Sequence, residues 1–162
     1  MSVRAVSVPG MEITKPPRTA AQRKHDVLGR LEREMDVWVA SADAEGLPCL
    51  VALWFVWDGK HLWLATRPAN PTGRNLRDGG RARLAFGDTR DVVLIDGAVE
   101  MFTASEVPSA AADAFHAKTG WDPRADPAPY AFFRVRPWAV QAWCESRELP
   151  RRHIMRDGAW IV

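Results

Sequence analysis

The chain has 162 residues, of which 47% are hydrophobic and 26% are charged. This composition is typical of a globular domain that is large enough to bury a core. The 22 basic and 20 acidic residues nearly cancel and are interleaved, which argues against a protein dedicated to nucleic acids. No apolar run approaches the roughly 20 residues that cross a bilayer, so no membrane span is predicted.

The cysteines and the N-terminal segment predict a cytoplasmic protein. Cys49 and Cys144 lie far apart and form no CxxC pattern, which is typical of small buried residues in a reducing compartment. Residues 1–18 contain three prolines and no apolar signal-peptide core. We therefore expect a flexible tail over 1–18 and a single domain over 19–162.

The first predicted element is a helix. Thr19 and Gln22 fit a capping box, in which each residue's side chain accepts a hydrogen bond from the other residue's backbone N–H. Apolar residues then recur at helical spacing between Val27 and Met35. The pattern predicts a leading helix that ends at about Met35.

Strands dominate the next part of the chain. Residues 36–41 predict a strand, which is followed by a turn at 43–46. Two apolar runs, 49–57 and 60–66, then meet at Asp58-Gly59, which is a strong hairpin signal. Because no residue over 49–57 is charged, we expect both faces of that strand to be covered.

The rest of the chain adds further strands and one inserted helix. The predicted elements are an alternating strand over 81–87, a long strand over 91–103 with a bulge at Asp96-Gly97, a helix over 108–119 behind a Thr103–Glu106 capping box, two strands broken at Pro137 over 131–144, and a C-terminal hairpin around Asp157-Gly158. These elements predict a mainly β, α+β fold. A closed six-stranded antiparallel barrel is the simplest arrangement that removes the sheet edges.

Familiar catalytic motifs are missing from the sequence. It contains no GxSxG, HExxH, Walker A or GxGxxG motif. His25, His61, His116 and His153 each stand alone, without metal-ligand spacing. We therefore assign no catalytic side chain and no metal site, and we interpret Glu145–Glu148 as a charged strand end followed by a turn.

Polar side chains gather where the second hairpin strand ends. They are Thr66, Arg67, Thr72, Arg74 and Asn75. Thr72 is placed to N-cap a short helix, whose free N–H groups suit a phosphate together with the guanidiniums. Arg81 and Arg83 share one strand face and can converge on the same anion. The alternative is an exposed capped turn with solubilising arginines, and residue chemistry leaves both open.

The eight tryptophans are unusual beside a single tyrosine. Most are expected in the core or in a subunit interface. One or two tryptophans beside the predicted phosphate-binding residues would instead form the side of a pocket for a flat ring.

The order of these motifs resembles the pyridoxamine 5'-phosphate oxidase-like FMN-binding split β-barrel superfamily. Within it, the sequence is most similar to the flavin/deazaflavin (F420)-dependent oxidoreductase branch. The motifs that carry the resemblance are Gly46-x-Pro48, Trp57-Asp58-Gly59, Thr72-x-Arg74-Asn75-Leu76, Arg83-Leu-Ala-Phe-Gly87 and Thr89-Arg-Asp-Val-Val93.

The resemblance implies a homodimer that holds F420 or FMN at its subunit interface and transfers a hydride to or from a small organic substrate. By position, it assigns cofactor binding to Ala65, Thr66, Arg67, Thr72, Arg74, Asn75 and Arg83. No nucleic-acid or membrane partner is implied. Substrate contacts are expected from the loop over 121–129.

One departure and one alternative qualify this expectation. The Arg-x-Arg-x-Val-Leu-Leu-Lys run that fixes FMN in pyridoxamine phosphate oxidases is absent, so vitamin B6 oxidation is not expected. The alternative function is a non-catalytic protein that binds or stores flavin, F420 or haem.

Overall fold

A computed structural model describes residues 15–162, and within them a leading helix precedes a six-stranded barrel. The tail predicted over 1–18 falls mostly on residues outside this described range. Helix α1 spans Ala20–Arg33 and begins with the predicted capping box between Thr19 and Gln22. It ends slightly earlier than expected because Glu34 turns to an extended conformation. Val27 and Leu31 of α1 are buried in the core.

The barrel consists of six antiparallel strands. They are β1 (Asp36–Ala42), β2 (Pro48–Trp57), β3 (Leu62–Thr66), β4 (Arg81–Ala85), β5 (Asp91–Phe102) and β6 (Ala131–Cys144). Their order is β3-β2-β1-β4-β5-β6, and β6 also pairs with β3. That last pairing closes the sheet on itself, so the predicted mainly β, six-stranded barrel is confirmed.

The β2–β3 hairpin is confirmed, and its turn spans residues 58–61. The Asp58 carboxylate accepts hydrogen bonds from the N–H groups of Lys60 at 2.9 Å and His61 at 2.7 Å. It also accepts one from Trp63 Nε1 at 2.8 Å. Gly59 has a φ of 93°, which favours glycine. The turn takes up Lys60 and His61, so β3 begins later than predicted.

Strand β2 corrects one expectation, because only one of its faces packs against the barrel core. Leu50 is 62% exposed and Trp54 is 42% exposed, and both point outward from the barrel. Val51 and Leu53, between them, pack against the core. The uncharged sequence of β2 therefore predicted that its outward face is also buried, but the single chain leaves most of that face exposed.

Strand β6 corrects a second expectation, because it runs unbroken through Pro137. Asp96 pairs with Ala139 and Gly97 pairs with Pro137, which leaves Trp138 as an extra residue on β6. A proline is tolerated in a sheet at such a bulge. The bulge predicted at Asp96-Gly97 is confirmed and explains the proline.

Three further α-helices connect or follow the strands. Helix α2 spans Pro71–Gly79, between β3 and β4. Helix α3 spans Ser109–Thr119 and is inserted between β5 and β6. Its predicted capping box is wrong, since Thr103 and Glu106 close a separate turn and Pro108 precedes the helix. The predicted charged turn after β6 is a short helix, α4 (Glu145–Glu148), in which Glu148 is buried.

The chain ends in the predicted hairpin. It consists of β7 (His153–Arg156) and β8 (Ala159–Trp160), with Asp157 and Gly158 at positive φ in the turn. Strand β7 pairs with β6 and extends the sheet beyond the barrel. Among residues 15–162, no helix combines the length and apolar character needed to span a membrane.

Candidate functional site

The segment predicted to bind phosphate begins at Thr66, at the end of β3, and continues into helix α2, which spans Pro71–Gly79. Its N-cap is Asn70, whose Oδ1 accepts a hydrogen bond from Gly73 N at 2.7 Å. The prediction of Thr72 at this position is therefore wrong by two residues. Asparagine is among the best N-caps and Pro71 suits the first helical position, so Asn70-Pro71 fixes the start of the helix.

Three predicted site residues are enclosed by the protein at the start of α2. Thr66 is 4% exposed, Thr72 is 2% exposed, and Ala65 is buried. The Thr66 hydroxyl accepts a hydrogen bond from Asn70 Nδ2 at 3.0 Å, and the Thr72 hydroxyl lies 3.4 Å from Cys49 Sγ. In the single chain these groups fix the helix to the barrel.

A cavity of about 740 Å³ lies beside α2, between that helix, the β1–β2 turn, β4 and β5. We call it the α2–β4 cavity. Three predicted site residues line it, namely Arg74, Asn75 and Arg83. Arg81 and Ser41 also line it, and Asn75 Nδ2 donates a hydrogen bond to Ser41 Oγ at 3.2 Å. The structure therefore brings part of the predicted set together around an open space.

The cationic groups of the α2–β4 cavity differ in how far they are neutralised. Arg83 makes two hydrogen bonds to the Asp96 carboxylate, at 2.7 Å and 2.9 Å, which raise the pKa of Arg83. Arg74 donates to the Ala69 carbonyl, and Arg81 makes no ion pair with any residue over 15–162. Arg74 and Arg81 therefore have no ion-pair partner among residues 15–162.

The cavity also contains carboxylates, and most have partners of their own. Asp78 pairs with Arg77 at 2.7 Å, and Asp96 pairs with Arg83. Asp43 accepts hydrogen bonds from the backbone N–H groups of Glu45 and Leu47 in the β1–β2 turn, and the exposed Glu45 carboxylate has no ion pair among residues 15–162. These contacts leave the arginine edge as the part of the cavity that suits an anion.

Arg67, the remaining predicted site residue, lies apart from the cavity. Its guanidinium carbon is 5.5 Å from the centroid of the Tyr130 ring. Tyr130 follows the proline-rich loop predicted to contact substrate, and its ring meets Trp121 edge-on at 4.7 Å. The substrate role of this loop stays a prediction.

An apolar surface adjoins the α2–β4 cavity on the outside of the barrel. Trp38, which is 44% exposed, pairs with Ala52, and Ala40 pairs with Leu50. These residues and Trp54 form what we call the outer apolar face, and Ala40 also lines the cavity. Trp138, the bulge residue, lines the cavity from the opposite side.

Sequence reasoning missed Trp138 and Ser41 as lining residues. The bulge opposite Gly97 was a usable signal for Trp138, because the extra residue of a bulge changes the direction of its side chain. Ser41 carried no such signal, since its position depends on the packing of α2 against β1. Among residues 15–162, no three His, Cys, Asp or Glu side chains gather as metal ligands.

The model of the pyridoxamine 5'-phosphate oxidase family matches residues 25–144. The chain belongs to this family. No match is found among curated proteins.

Solved structures show the same fold. A protein named F420 reductase is 24% identical, with a TM-score of 0.55 over 69% of this chain and 93% of its own. HutZ, the haem storage protein of Vibrio cholerae, is 14% identical, with a TM-score of 0.63 over 75% of this chain and 94% of its own. General stress protein 26 of Bacillus anthracis is 14% identical, with a TM-score of 0.60 over 74% of this chain and 92% of its own.

Proposed function

We propose that the chain is an oxidoreductase that binds F420 or FMN in the α2–β4 cavity and transfers a hydride between this cofactor and a small organic substrate. The observation that carries the proposal is the arginine edge of the cavity, where Arg74 and Arg81 face an open space beside an apolar wall. Family membership and the similarity to an F420 reductase support it.

The donor set of the cavity fits a cofactor phosphate. Guanidinium groups form strong charge-assisted hydrogen bonds to phosphate oxygens, and Ser41 and Asn75 add neutral polar groups beside them. The volume of about 740 Å³ lies within the range of cofactor and ligand pockets. Together these groups distinguish a cationic, phosphate-binding end of the cavity from an apolar one.

In this proposal the cofactor supplies the hydride chemistry, and the protein supplies binding and orientation. Arg74 and Arg81 hold the phosphate, and Asn75 together with Ser41 fixes the edge of α2 against β1. Trp138, which lines the cavity, would shield the ring from water on one side. The proposal therefore needs no nucleophile or acid–base pair from this chain.

We further propose that the active form is a homodimer, with the cofactor at the interface between two copies. The outer apolar face supports this, since it exposes two tryptophans and a leucine on neighbouring strands. Aromatic residues are enriched in interfaces. Because Ala40 belongs to both the face and the cavity, a second copy on the face would also cover the cavity.

Titration of the protein with F420 and FMN, followed by absorbance and fluorescence, tests cofactor binding. We expect Arg74→Gln and Arg81→Gln each to weaken the tighter cofactor about tenfold or more, since each removes a hydrogen bond to a charged group. The control is Arg33→Gln, an exposed arginine of α1 outside the cavity, which should leave the affinity unchanged. Unchanged affinity in both cavity variants would contradict the assigned site.

Turnover separates the oxidoreductase from the non-catalytic alternative. The loaded protein is supplied with reduced F420 or reduced FMN and a panel of small organic acceptors, and cofactor oxidation is followed by absorbance. Cofactor oxidation that requires an acceptor supports the oxidoreductase, and we then expect Arg81→Gln to raise the KM for the cofactor. Tight cofactor or haem binding with no turnover across the panel would assign a binding or storage protein.

A further inference from the structure

A second cleft, of about 480 Å³, lies between the β2–β3 turn, the β6 bulge and the β7–β8 hairpin. Three indole rings line it, from Trp57, Trp138 and Trp160. We call it the three-tryptophan cleft. Neither Arg74 nor Arg81 lines it, so its charged groups differ from those of the proposed phosphate site, although Trp138 lines both cavities.

The walls of this cleft are held by backbone contacts. Gly158 N donates a hydrogen bond to the Trp138 carbonyl at 2.9 Å, which ties the C-terminal hairpin to the bulge. Trp160 pairs with Met155 across that hairpin, and its ring lies 5.1 Å from Lys24 Nζ of α1. The backbone of the cleft's walls is therefore fixed before any ligand arrives, which lowers the entropic cost of binding.

The charged groups of the cleft favour an anion. Lys60 and Arg136 line it, both are exposed, and neither pairs with a carboxylate among the described residues 15–162. Asp157 is the one carboxylate that lines it, and it lies in the β7–β8 turn. Two cations against one carboxylate leave a net positive charge beside three aromatic rings.

We propose that the three-tryptophan cleft binds a small planar aromatic anion, with its ring against the indoles and its anionic group on Lys60 and Arg136. Indole faces stack on planar rings in offset or edge-on geometry. Lysine and arginine supply charge-assisted hydrogen bonds to a carboxylate or phosphate. The proposal does not depend on which cofactor occupies the α2–β4 cavity.

Isothermal titration calorimetry with 2-naphthoate tests the cleft, and 2-naphthylmethanol serves as the uncharged analogue. We expect the anion to bind more tightly than the alcohol. Lys60→Gln and Arg136→Gln should each weaken 2-naphthoate about fivefold to tenfold and leave the alcohol unchanged. Trp160→Leu should weaken both compounds, because both use the ring contact.

Controls separate this site from the α2–β4 cavity. Arg33→Gln should leave 2-naphthoate binding unchanged, and circular dichroism should show native folding for Lys60→Gln and Arg136→Gln, whose side chains are exposed. Equal affinity for acid and alcohol, or no binding of either, would overturn the proposal. Weakening by Arg81→Gln but not by Arg136→Gln would also overturn it, by placing the probe in the α2–β4 cavity.

Discussion

Glu148 is a buried carboxylate whose charge is balanced by one arginine from the other end of the described chain. Arg18 donates to it through the backbone N at 2.7 Å, Nε at 3.1 Å and Nη2 at 2.8 Å. Cys144 N adds a fourth hydrogen bond at 2.6 Å. Arg18 also pairs with Asp26 and Asp91, so the cluster joins α1, β5 and α4.

This environment makes the stability of the protein sensitive to acid. Burial alone would raise the pKa of Glu148, but the bonds from Arg18 and Cys144 outweigh it and lower the pKa to about 2. A carboxyl with a lowered folded-state pKa stabilises the protein above its unfolded pKa of roughly 4.3, and this stabilisation is lost as the pH falls towards 2. The difference corresponds to about 3 kcal/mol.

We therefore expect Glu148→Gln to lower the free energy of unfolding by about 3 kcal/mol at pH 7, because it leaves Arg18 without its buried partner. The difference from the unsubstituted protein should shrink as the pH falls from 5 to 2. Urea unfolding at several pH values measures both effects.

The matched control for this prediction is Glu145→Gln. Glu145 lies on the same short helix, but it is exposed and pairs with Arg90 on the surface, so its loss should cost less than about 1 kcal/mol. A Glu148→Gln variant as stable as this control at pH 7 would contradict the role of the cluster.

The sequence predicted which residues contribute charge near the site better than it predicted how buried each residue is or what it contacts. The anion-binding character of the α2 region was predictable because arginines cluster there, and Arg74, Asn75 and Arg83 do line the cavity. Ala65, Thr66 and Thr72 are buried instead. Glu148 was interpreted as part of a charged strand end followed by a turn, since its partner Arg18 lies far away in sequence and only the fold brings the two together.

At the scale of elements, the bulge on β6 contributes a wall residue to both cavities. It makes Trp138 an extra residue, and Trp138 lines both the α2–β4 cavity and the three-tryptophan cleft. The bulge requires glycine at position 97, because a Cβ there would overlap Val135 Cγ1 and lie 3.1 Å from the Arg136 carbonyl oxygen. The close approach of β6 to Gly97 therefore leaves no room for a side chain at this position.

We expect Gly97→Ala to lower the free energy of unfolding by about 1–3 kcal/mol, since overpacking against backbone forces the strands apart. Gly87→Ala is the control, because no atom lies within 4 Å of the added Cβ and the residue is exposed. Urea unfolding compares the two. Equal stability of both variants would show that β6 adjusts without cost.

Structural features at this scale were predictable where they depend on residues that are adjacent in sequence. The Thr19–Gln22 capping box, the Asp58-Gly59 turn and the glycine bulge each need only a few adjacent positions, and all are present. Pro137 was misjudged as a strand break. Its effect depends on Gly97, which lies on the neighbouring strand and offers no sign in the local sequence of β6.

At the scale of the whole molecule, the outer apolar face is the feature that a single chain leaves unexplained. It places Trp38, Leu50 and Trp54 in contact with water on one side of the barrel. The proposed homodimer would bury them and would also supply the second cover that the uncharged sequence of β2 led us to expect. The barrel itself was predictable from strand spacing, whereas its oligomeric state remains a proposal.

We expect Leu50→Lys to convert the proposed homodimer to a folded monomer, because the dimer would have to bury an unpaired charge. Analytical ultracentrifugation measures the mass, and cofactor affinity should fall with dissociation. Leu149→Lys is the control, since Leu149 is also an exposed leucine but lies after α4, outside the face. A monomeric unsubstituted protein, or a Leu50→Lys dimer, would contradict the proposal.

The pairing that closes the barrel also bears on how the protein folds. Strands β1 to β3 are neighbours in sequence and can pair early, but β3 meets its second partner only when residues 131–135 of β6 arrive. Long-range pairings of this kind slow folding, because the entropy of closing the intervening loop is lost before the contacts form. Until then the β3 edge stays open to other strands, so aggregation during refolding should begin there.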